Sequence, residues 1–418
     1  MKNIVIVGGG ISGLTLALAL HLKGINAKVF EAAPKIKPLG VGINLQSYAV
    51  EILHKLGVLD RIAHQAILTQ EMAFFNRQGQ QIHALPLGRY GGHPYPQISV
   101  HRGVLQQTLL EVAKERLGDQ FLFTGHSFIS AAQEGRCLRA NFLTAAGEKT
   151  ICQVECDALI GADGIHSRVY RSAFPEGPPL REVGVQMWRG MTVAPCFLTG
   201  ATMARVGVPS HGKLVIYPVK NNVNAQGDQL INWVAEIDSE IYKKTEAPAL
   251  QHKEYLVDFF ASRKFDWINI PELIGQSVAP IISMPMMDRD PVERWQSGCI
   301  TLIGDAAHPM APVGSNGAGQ ALLDAYSLSV RLAEDSVEEA FRAYENERRP
   351  LTSNIVMTDR QGIPDQLIDI VDRRTGGRAF AKIEEVLSPE EAVRWATPDY
   401  QARPWDSKNQ GAGLLTHA

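Results

Sequence analysis

Ile4-Val5-Ile6-Val7, then Gly8-Gly9-Gly10-Ile11-Ser12-Gly13, Leu14 to Lys23, and Ala27-Lys28-Val29-Phe30-Glu31 form the stretch on which the fold turns. Four consecutive apolar residues read as a strand buried in a parallel sheet, and the glycines after them as a tight turn opening a helix. Gly24 stops that helix, and a second strand closes on Glu31, 18 residues past Gly13. In Gly8-x-Gly10-x-x-Gly13 the first glycine makes the turn, the second lets a pyrophosphate approach the backbone, and the third lets helix and strand pack closely. A carboxylate at the end of the second strand accepts both hydroxyls of a ribose. A glycine-rich turn with no ligand gives Glu31 no task, so the stretch reads as a dinucleotide site. The carboxylate argues against NADP, whose 2'-phosphate it would repel, and leaves NAD and the adenosine half of FAD both open.

The 418 residues allow two domains with real cores, and 45% apolar with 20% charged residues is ordinary for a soluble globular chain. A net charge of -3 gives no reason to expect nucleic acid or an anionic membrane as partner. The first apolar run is too short for a signal peptide, and none approaches the roughly 18 residues of a membrane span, so no membrane anchor is expected. The five cysteines form no disulfide framework, and Cys152 and Cys156 lack a second ligand pair for zinc, so no metal is expected. A cytoplasmic setting fits this usage. No coiled-coil repeat speaks for an interface, which leaves monomer or dimer.

Beyond Glu31, Pro38-Leu39-Gly40-Val41-Gly42-Ile43 reads as a loop of close backbone approach, and Ser47 to Leu56 as a helix ended by Gly57. Met72 to Phe75 and Gln80 to Leu85 read as strands joined at Arg77-Gln78-Gly79. Ile98-Ser99-Val100 returns as a strand, followed by a helix from Gly103 to about Arg116. Arg102 stands at that junction, where its guanidinium either meets a phosphate or flavin ribityl chain or forms a solvated ion pair. Leu138 to Thr144 and Lys149 to Val154 predict a hairpin around Ala146-Gly147-Glu148. The buried strand Ala158 to Gly161 runs into Asp163-Gly164, where the acid either turns the chain beside a phosphate or caps the next helix.

From about Pro178 to Ala279, alternating stretches such as Lys213 to Tyr217 and Leu230 to Val234 predict a mostly antiparallel sheet walling an apolar cavity. Trp188, Met203, Tyr217 and Trp233 are the substrate-pocket candidates on it, with ordinary core packing as the alternative for each. Cys299 to Ile303 is another buried strand, leading into Gly304-Asp305-Ala306-Ala307-His308-Pro309 and on through Pro312-Val313-Gly314-Ser315-Asn316-Gly317 to a helix over Ala318 to Glu334. This arrangement brings Asp305 near a ribose or ribityl hydroxyl and faces the first helical amides toward electron-rich atoms. Ser336-Val337-Glu338-Glu339 has capping-box spacing before a helix that Pro350 is expected to end, and Ser388-Pro389-Glu390-Glu391 repeats the signal.

Gly8-x-Gly10-x-x-Gly13, Asp163-Gly164 and Gly304-Asp305, in that order, resemble the motifs of the single-component flavoprotein aromatic hydroxylases, the para-hydroxybenzoate hydroxylase-like family. The resemblance runs through at least residues 1 to 350 and implies an α/β architecture: a Rossmann-like FAD-binding domain interleaved with a mostly antiparallel substrate domain, plus C-terminal helices. The FAD-binding domain would take residues 1–71, 98–177 and 280–350, and the substrate domain 72–97 and 178–279. Residues 351–402 would be a helical segment and 403–418 a mobile tail. The resemblance further implies that Gly8, Gly10, Ser12, Gly13 and Glu31 bind the adenosine diphosphate portion and that Arg102 contacts FAD. Asp163 would lie by the pyrophosphate and Gly304 and Asp305 by the ribityl or pyrophosphate region. Pro312, Gly314, Ser315, Asn316, Gly317 and Ala318 would approach the isoalloxazine ring. Many relatives carry asparagine where this chain has Gly319, so that contact is expected to be missing or replaced by backbone. Pro309-Met310, Pro312 to Gln320, and Met187-Trp188-Arg189-Gly190 look most like members that modify phenazine carboxylates.

A single GxGxxG unit favours FAD as its occupant, with NADH or NADPH visiting as cosubstrate. The resemblance implies a monooxygenase using NAD(P)H and dioxygen, through a flavin C4a-hydroperoxide, to hydroxylate a planar aromatic or N-heterocyclic compound such as a phenazine carboxylate or hydroxybenzoate, with or without decarboxylation. The cofactor carries that chemistry while the protein positions the ring and excludes water. No side chain is therefore assigned a catalytic step; Tyr217 is a candidate for orienting the substrate, and His308 either supports its turn or moves a proton. The alternatives are a flavin oxidase or dehydrogenase independent of NAD(P)H, and a non-enzymatic flavin- or small-molecule-binding protein.

Overall fold

The computed structural model describes residues 2–38, 40–134, 137–144, 150–244, 252–362 and 365–397. Leu39 of the expected loop, the turn expected at Ala146-Gly147-Glu148 and the tail expected at 403–418 lie outside the described residues.

The opening strand is the middle of a five-stranded parallel sheet, in the order Ile300–Leu302, Ala158–Gly161, Ile4–Val7, Ala27–Glu31, Leu122–Thr124. Ile4 pairs with both Ala158 and Ala27, and every residue of Ile4–Val7 is buried, as an apolar run covered on both faces must be. The helix Ile11–Leu22 packs on this sheet between Arg102–Leu117 and Gly317–Glu334. The glycine turn, Glu31, Asp163-Gly164 and Gly304-Asp305 therefore all stand at the carboxyl ends of adjacent strands, where open α/β sheets bind their ligands.

A seven-stranded sheet stands against this domain, in the order Ile282–Arg289, Leu180–Ala194, Gln229–Asp238, Lys213–Lys220, Thr202–Val206, Glu71–Phe75, Gln81–Pro86. It is antiparallel except where Thr202–Val206 runs beside Glu71–Phe75. Alternate side chains point to opposite faces. One face carries Trp188, Ile216, Trp233 and Ala235 into a core with Leu256, Phe260, Leu273 and Ile274 of the helices His252–Phe259 and Ile270–Gly275. The other carries Met187, Met203, Val215, Tyr217 and Val234, and is backed in part by Leu367, Ile368 and Val371 of the helix Gln366–Thr375.

Three expectations need correction. The seven-stranded sheet extends past residue 279, because Ile282–Arg289 pairs along Leu180–Ala194. Pro350 does not end its helix, which runs from Val337 to Arg360 and so also crosses the boundary expected at 350. Pro350 and Asn346, whose carbonyl the proline cannot serve, are both exposed, so water can take the missing hydrogen bond. Tyr344 and Arg348 before it and Thr352, Ile355 and Val356 after it are buried, and that packing carries the helix through. Trp188 and Trp233, finally, lie on the face turned away from the cavity described below; the indole of Trp233 instead donates to Thr192 Oγ1 at 3.2 Å.

Candidate active site

The glycine turn is closed by contacts that only glycine permits. Gly8 has φ +111, and a Cβ there would lie 2.4 Å from the Ala162 carbonyl oxygen; one on Gly13 would lie 2.0 Å from the oxygen of Gly8. A Cβ on Gly10, by contrast, would meet nothing within 4 Å, because Gly10 faces an open groove. Glu31 borders the same groove, its two carboxylate oxygens anchored by the amides of Gly9 at 2.7 Å and Ala33 at 2.8 Å. Each oxygen keeps a lone pair for a ribose hydroxyl. Gln106, which the sequence reading did not single out, donates from Nε2 to the Gly9 carbonyl at 3.0 Å and pins the turn to the helix Arg102–Leu117.

The groove continues past Gly10, Arg102, Ala162 and Gly164 into a cavity against the seven-stranded sheet. Arg102 is half-buried at this passage, and its guanidinium makes no hydrogen bond among the described residues. Burial lowers its pKa, with Asp305 opposing that and Arg189 reinforcing it. Asp163 borders the groove, but its oxygens are taken up by Ser167 Oγ at 2.5 Å and the amides of Arg168 at 2.7 Å and Val169 at 3.1 Å. Of the two readings of Asp163, the cap is the one its bonds express. Ser12, Asp305, Pro312, Ser315, Gly317 and Ala318 line the cavity, while Gly304, Gly314 and Asn316 are buried behind that lining. The Asp305 carboxyl is exposed toward the cavity, where desolvation by the surrounding walls raises its pKa and His308 and Arg102 oppose that rise. Gly317 and Ala318 open the helix Gly317–Glu334, which has no side-chain cap, so its first amides are left to a ligand.

Behind the Gly-Asp turn sits a polar cluster of which the sequence reading found only His308. Asp324 accepts from the Gly304 amide at 2.9 Å and from Arg348 Nε at 2.9 Å, and its Oδ2 lies 2.5 Å from His308 Nε2. Burial pushes the Asp324 carboxyl up, yet His308 and Arg348 outweigh it and hold it at about 2. His308 is buried against Trp295 with ring centroids 5.3 Å apart and does not line the cavity, which is the supporting role. At Gly319 the asparagine of many relatives has no room: a Cβ there would lie 2.6 Å from the Tyr48 hydroxyl. Tyr48 reaches Asn316 Oδ1 at 3.1 Å and receives Gln320 Nε2 at 3.2 Å, so it fills that place. A glycine inside a long helix, unfavourable by about 1 kcal/mol, was the signal for this close packing.

The sheet face opposite the tryptophans forms the far wall. Met203 and Tyr217 line it, together with Met187, Val215 and Val234. Four charged residues missed in sequence belong to this face: Arg189, Arg205, Lys213 and Glu236. Arg205 and Lys213 share Asp365, at 2.6 Å each, and Lys213 also donates to Glu236 Oε2 at 2.8 Å. Arg205 further donates to the Val313 carbonyl in the turn before Ser315. Arg189 donates from Nη2 to the Gly42 carbonyl at 2.8 Å, and its buried Nε has no partner among the described residues. Burial raises the Tyr217 pKa, offset in part by the neighbouring Arg189, so the phenol is a neutral donor at pH 7. The one signal available was parity, since Arg189, Arg205, Lys213 and Tyr217 are charged or polar members of otherwise apolar alternating strands.

These residues fit FAD. The groove at Gly10 has room for a pyrophosphate, Glu31 would meet the adenosine ribose, Arg102, whose guanidinium has no hydrogen bond among the described residues, would meet the anion or ribityl chain, and the uncapped helix start borders the cavity in which a flavin ring would lie against the sheet. Such a site defines an FAD-dependent enzyme whose flavin would face a cavity walled by the seven-stranded sheet. The family described as FAD binding domain matches residues 1–359, and the chain belongs to that family of flavoprotein aromatic hydroxylases. It is 39% identical over 384 residues to the phenazine 1,6-dicarboxylic acid hydroxylase PhzS of Lysobacter antibioticus, covering 91% of each chain. It is 29% identical to the 3-amino-4-hydroxybenzoate 2-monooxygenase of Streptomyces cremeus, over 84% of each. The Klebsiella pneumoniae HpxO structure with FAD and uric acid has the same fold, with TM-score 0.75 at 21% identity over 94% of this chain and 95% of that one. The enzyme is thus an FAD-dependent monooxygenase of the kind that hydroxylates aromatic and heterocyclic compounds with NAD(P)H and dioxygen, and the oxidase and binding-protein alternatives give way. Among the described residues no helix is long and apolar enough to cross a membrane.

Proposed function

We propose that this monooxygenase acts on a planar N-heteroaromatic carboxylate of the phenazine carboxylate class. The observation that carries the reading is Arg189: it lines the cavity, its buried Nε has no partner, and among the described residues no carboxylate pairs with it. A guanidinium so placed takes a carboxylate in a two-point hydrogen bond. Met187, Val215 and Val234 beside it give an apolar floor for a flat ring system. The 39% identity to a phenazine dicarboxylate hydroxylase supports the same class.

When bound, FAD would take two electrons from NAD(P)H and use dioxygen to place one oxygen atom on the substrate, the other leaving as water. On this reading the chain's own residues divide the work of binding and orientation. Glu31 and the Gly8–Gly13 turn hold the nucleotide end, and Arg102 the middle of the cofactor. Asp305 and the amides of Gly317 and Ala318 hold the end nearest the substrate. Arg189 fixes the carboxylate, Tyr217 donates a hydrogen bond as a neutral phenol, and the sheet with its C-terminal helical backing keeps water from the reacting face. We assign the enzyme to the cytoplasm, where reduced nicotinamide is supplied.

The test is turnover of phenazine-1-carboxylate under labelled dioxygen with NADH and with NADPH. One labelled oxygen should enter the product, and loss of the carboxyl carbon in the same product would mark attack at the carboxyl-bearing position. Nicotinamide oxidation that never yields labelled product across phenazine and pyridine carboxylates and hydroxybenzoates would overturn the reading.

A further inference from the structure

The charges along the cavity wall are not evenly used. Asp365 is paired on both oxygens, with Arg205 on one and Lys213 on the other. Glu236 accepts from Lys213 at Oε2 alone; its Oε1 has no hydrogen bond among the described residues, although the residue is only 4% exposed and lines the cavity. Register places Arg189 opposite Val234 and Met187 opposite Glu236, so Arg189 and Glu236 are diagonal neighbours on adjacent strands, about 7–8 Å apart. Both line the same cavity without forming an ion pair, because Glu236 is drawn toward Lys213 and Arg189 toward the Gly42 carbonyl. The wall therefore presents a donor pole and an acceptor pole held apart over the apolar floor of Val215 and Val234.

We propose that Glu236 is a specificity-determining residue: its free carboxylate oxygen accepts a hydrogen bond from a hydroxyl, amino or ring N–H group on the substrate edge beyond the carboxylate held by Arg189. This rests on the reading of the cavity as a carboxylated-aromatic site and names the second polar feature its ligands carry. A buried acceptor anion left unmatched is costly, so a ring offering an ether oxygen or bare C–H at that edge binds more weakly. Lys213 keeps the carboxylate in place, and through Asp365 and Arg205 it is tied to the carbonyl of Val313 beside the cofactor turn.

The experiment titrates the FAD-loaded enzyme, without nicotinamide and without oxygen, by flavin absorbance. The probes are two matched sets: 3-hydroxybenzoate, 3-methoxybenzoate and benzoate, and phenazine-1-carboxylate with its 6-hydroxy and 6-methoxy forms. In at least one set the hydroxy compound should bind roughly tenfold or more tightly than its methoxy partner. Glu236→Gln, checked for unchanged FAD content, should shrink that ratio to within about threefold. Arg189→Met should weaken every probe while leaving the ratio intact. Equal binding of hydroxy and methoxy forms by the wild-type enzyme overturns the role of Glu236 and leaves the carboxylate reading standing, and this arm needs no variant to fold. A hydroxyl preference that persists in Glu236→Gln overturns it too. If no carboxylate perturbs the flavin, the reading of the cavity and the role of Glu236 fall together.

Discussion

Asp324→Asn tests whether the buried cluster behind the Gly-Asp turn governs both stability and cofactor retention. Asp324 is fully buried and serves three groups at once: the Gly304 amide, Arg348 Nε and His308 Nε2. Breaking a buried charge pair by removing one partner costs about 3–5 kcal/mol. Asparagine keeps the volume and one carbonyl oxygen, and Arg348 retains the Gln320 carbonyl oxygen at 2.5 Å, so the low end applies. With 418 residues, the unfolding entropy of about 2.1 cal/mol/K per residue makes 3 kcal/mol equivalent to a fall of about 3–4 °C in Tm. The Gly304 amide shares the same acceptor, so loosening it displaces Asp305 and should raise the FAD dissociation constant about tenfold. Thermal unfolding of apoprotein and FAD titration read the two effects separately. Arg348→Met in the same chain removes the stranded charge and should recover part of the loss. An apoprotein Tm within about 1 °C of wild type, or a double variant whose loss is the full sum of the two single ones, would refute this reasoning.

Further outcomes follow from other contacts. Stability should fall in acid as Asp324 takes its proton: its folded pKa of about 2 lies below the 3.8 of an ordinary aspartate, so about 2 kcal/mol is present above pH 5, is lost as pH falls toward 2, and should be missing from the acid-unfolding slope of Asp324→Asn. Gly319→Asn should lower FAD occupancy and Tm because its Cβ strikes Tyr48, and adding Tyr48→Ala should restore occupancy if steric conflict is the cause; no restoration counts against it. Arg189→Met should raise KM for carboxylated substrates about tenfold or more while leaving FAD content unchanged; unchanged KM in steady-state assays would remove Arg189 from the substrate site. Trp188→Phe should lower Tm without altering KM, whereas Met203→Ala should change relative rates across a substrate panel, since only Met203 faces the cavity; a KM change in Trp188→Phe would reverse that assignment.

Much of the nucleotide side was legible because its information is local. A turn that must pass Gly8 at positive φ and let Gly10 face a phosphate needs particular residues at fixed spacing, and Glu31 follows one helix and one strand later. Arg102, Asp305 and the start of the long helix were readable for the same reason, each standing where a strand gives way to a helix. Pro350 shows the reverse case: its local rule was sound, but buried neighbours on both sides and an exposed Asn346 carbonyl let tertiary packing override it.

What the chain order by itself determined is a Rossmann-like FAD domain, the interleaved sheet, and the enzyme class that three separated motifs define. Which side chains line the cavity was decided only in three dimensions. Trp188 and Arg189 are neighbours in sequence, yet the pleat sends one into the core with Trp233 and the other into the cavity with Tyr217. The buried ion network joins Arg205, Lys213 and Glu236 to Asp365 across as many as 160 residues of chain, and the Tyr48–Gly319 contact brings together two helices. Alternation along a strand gives parity without saying which face is covered. That depends on which helices pack where, and so on burial of the whole sheet rather than on any local run of residues.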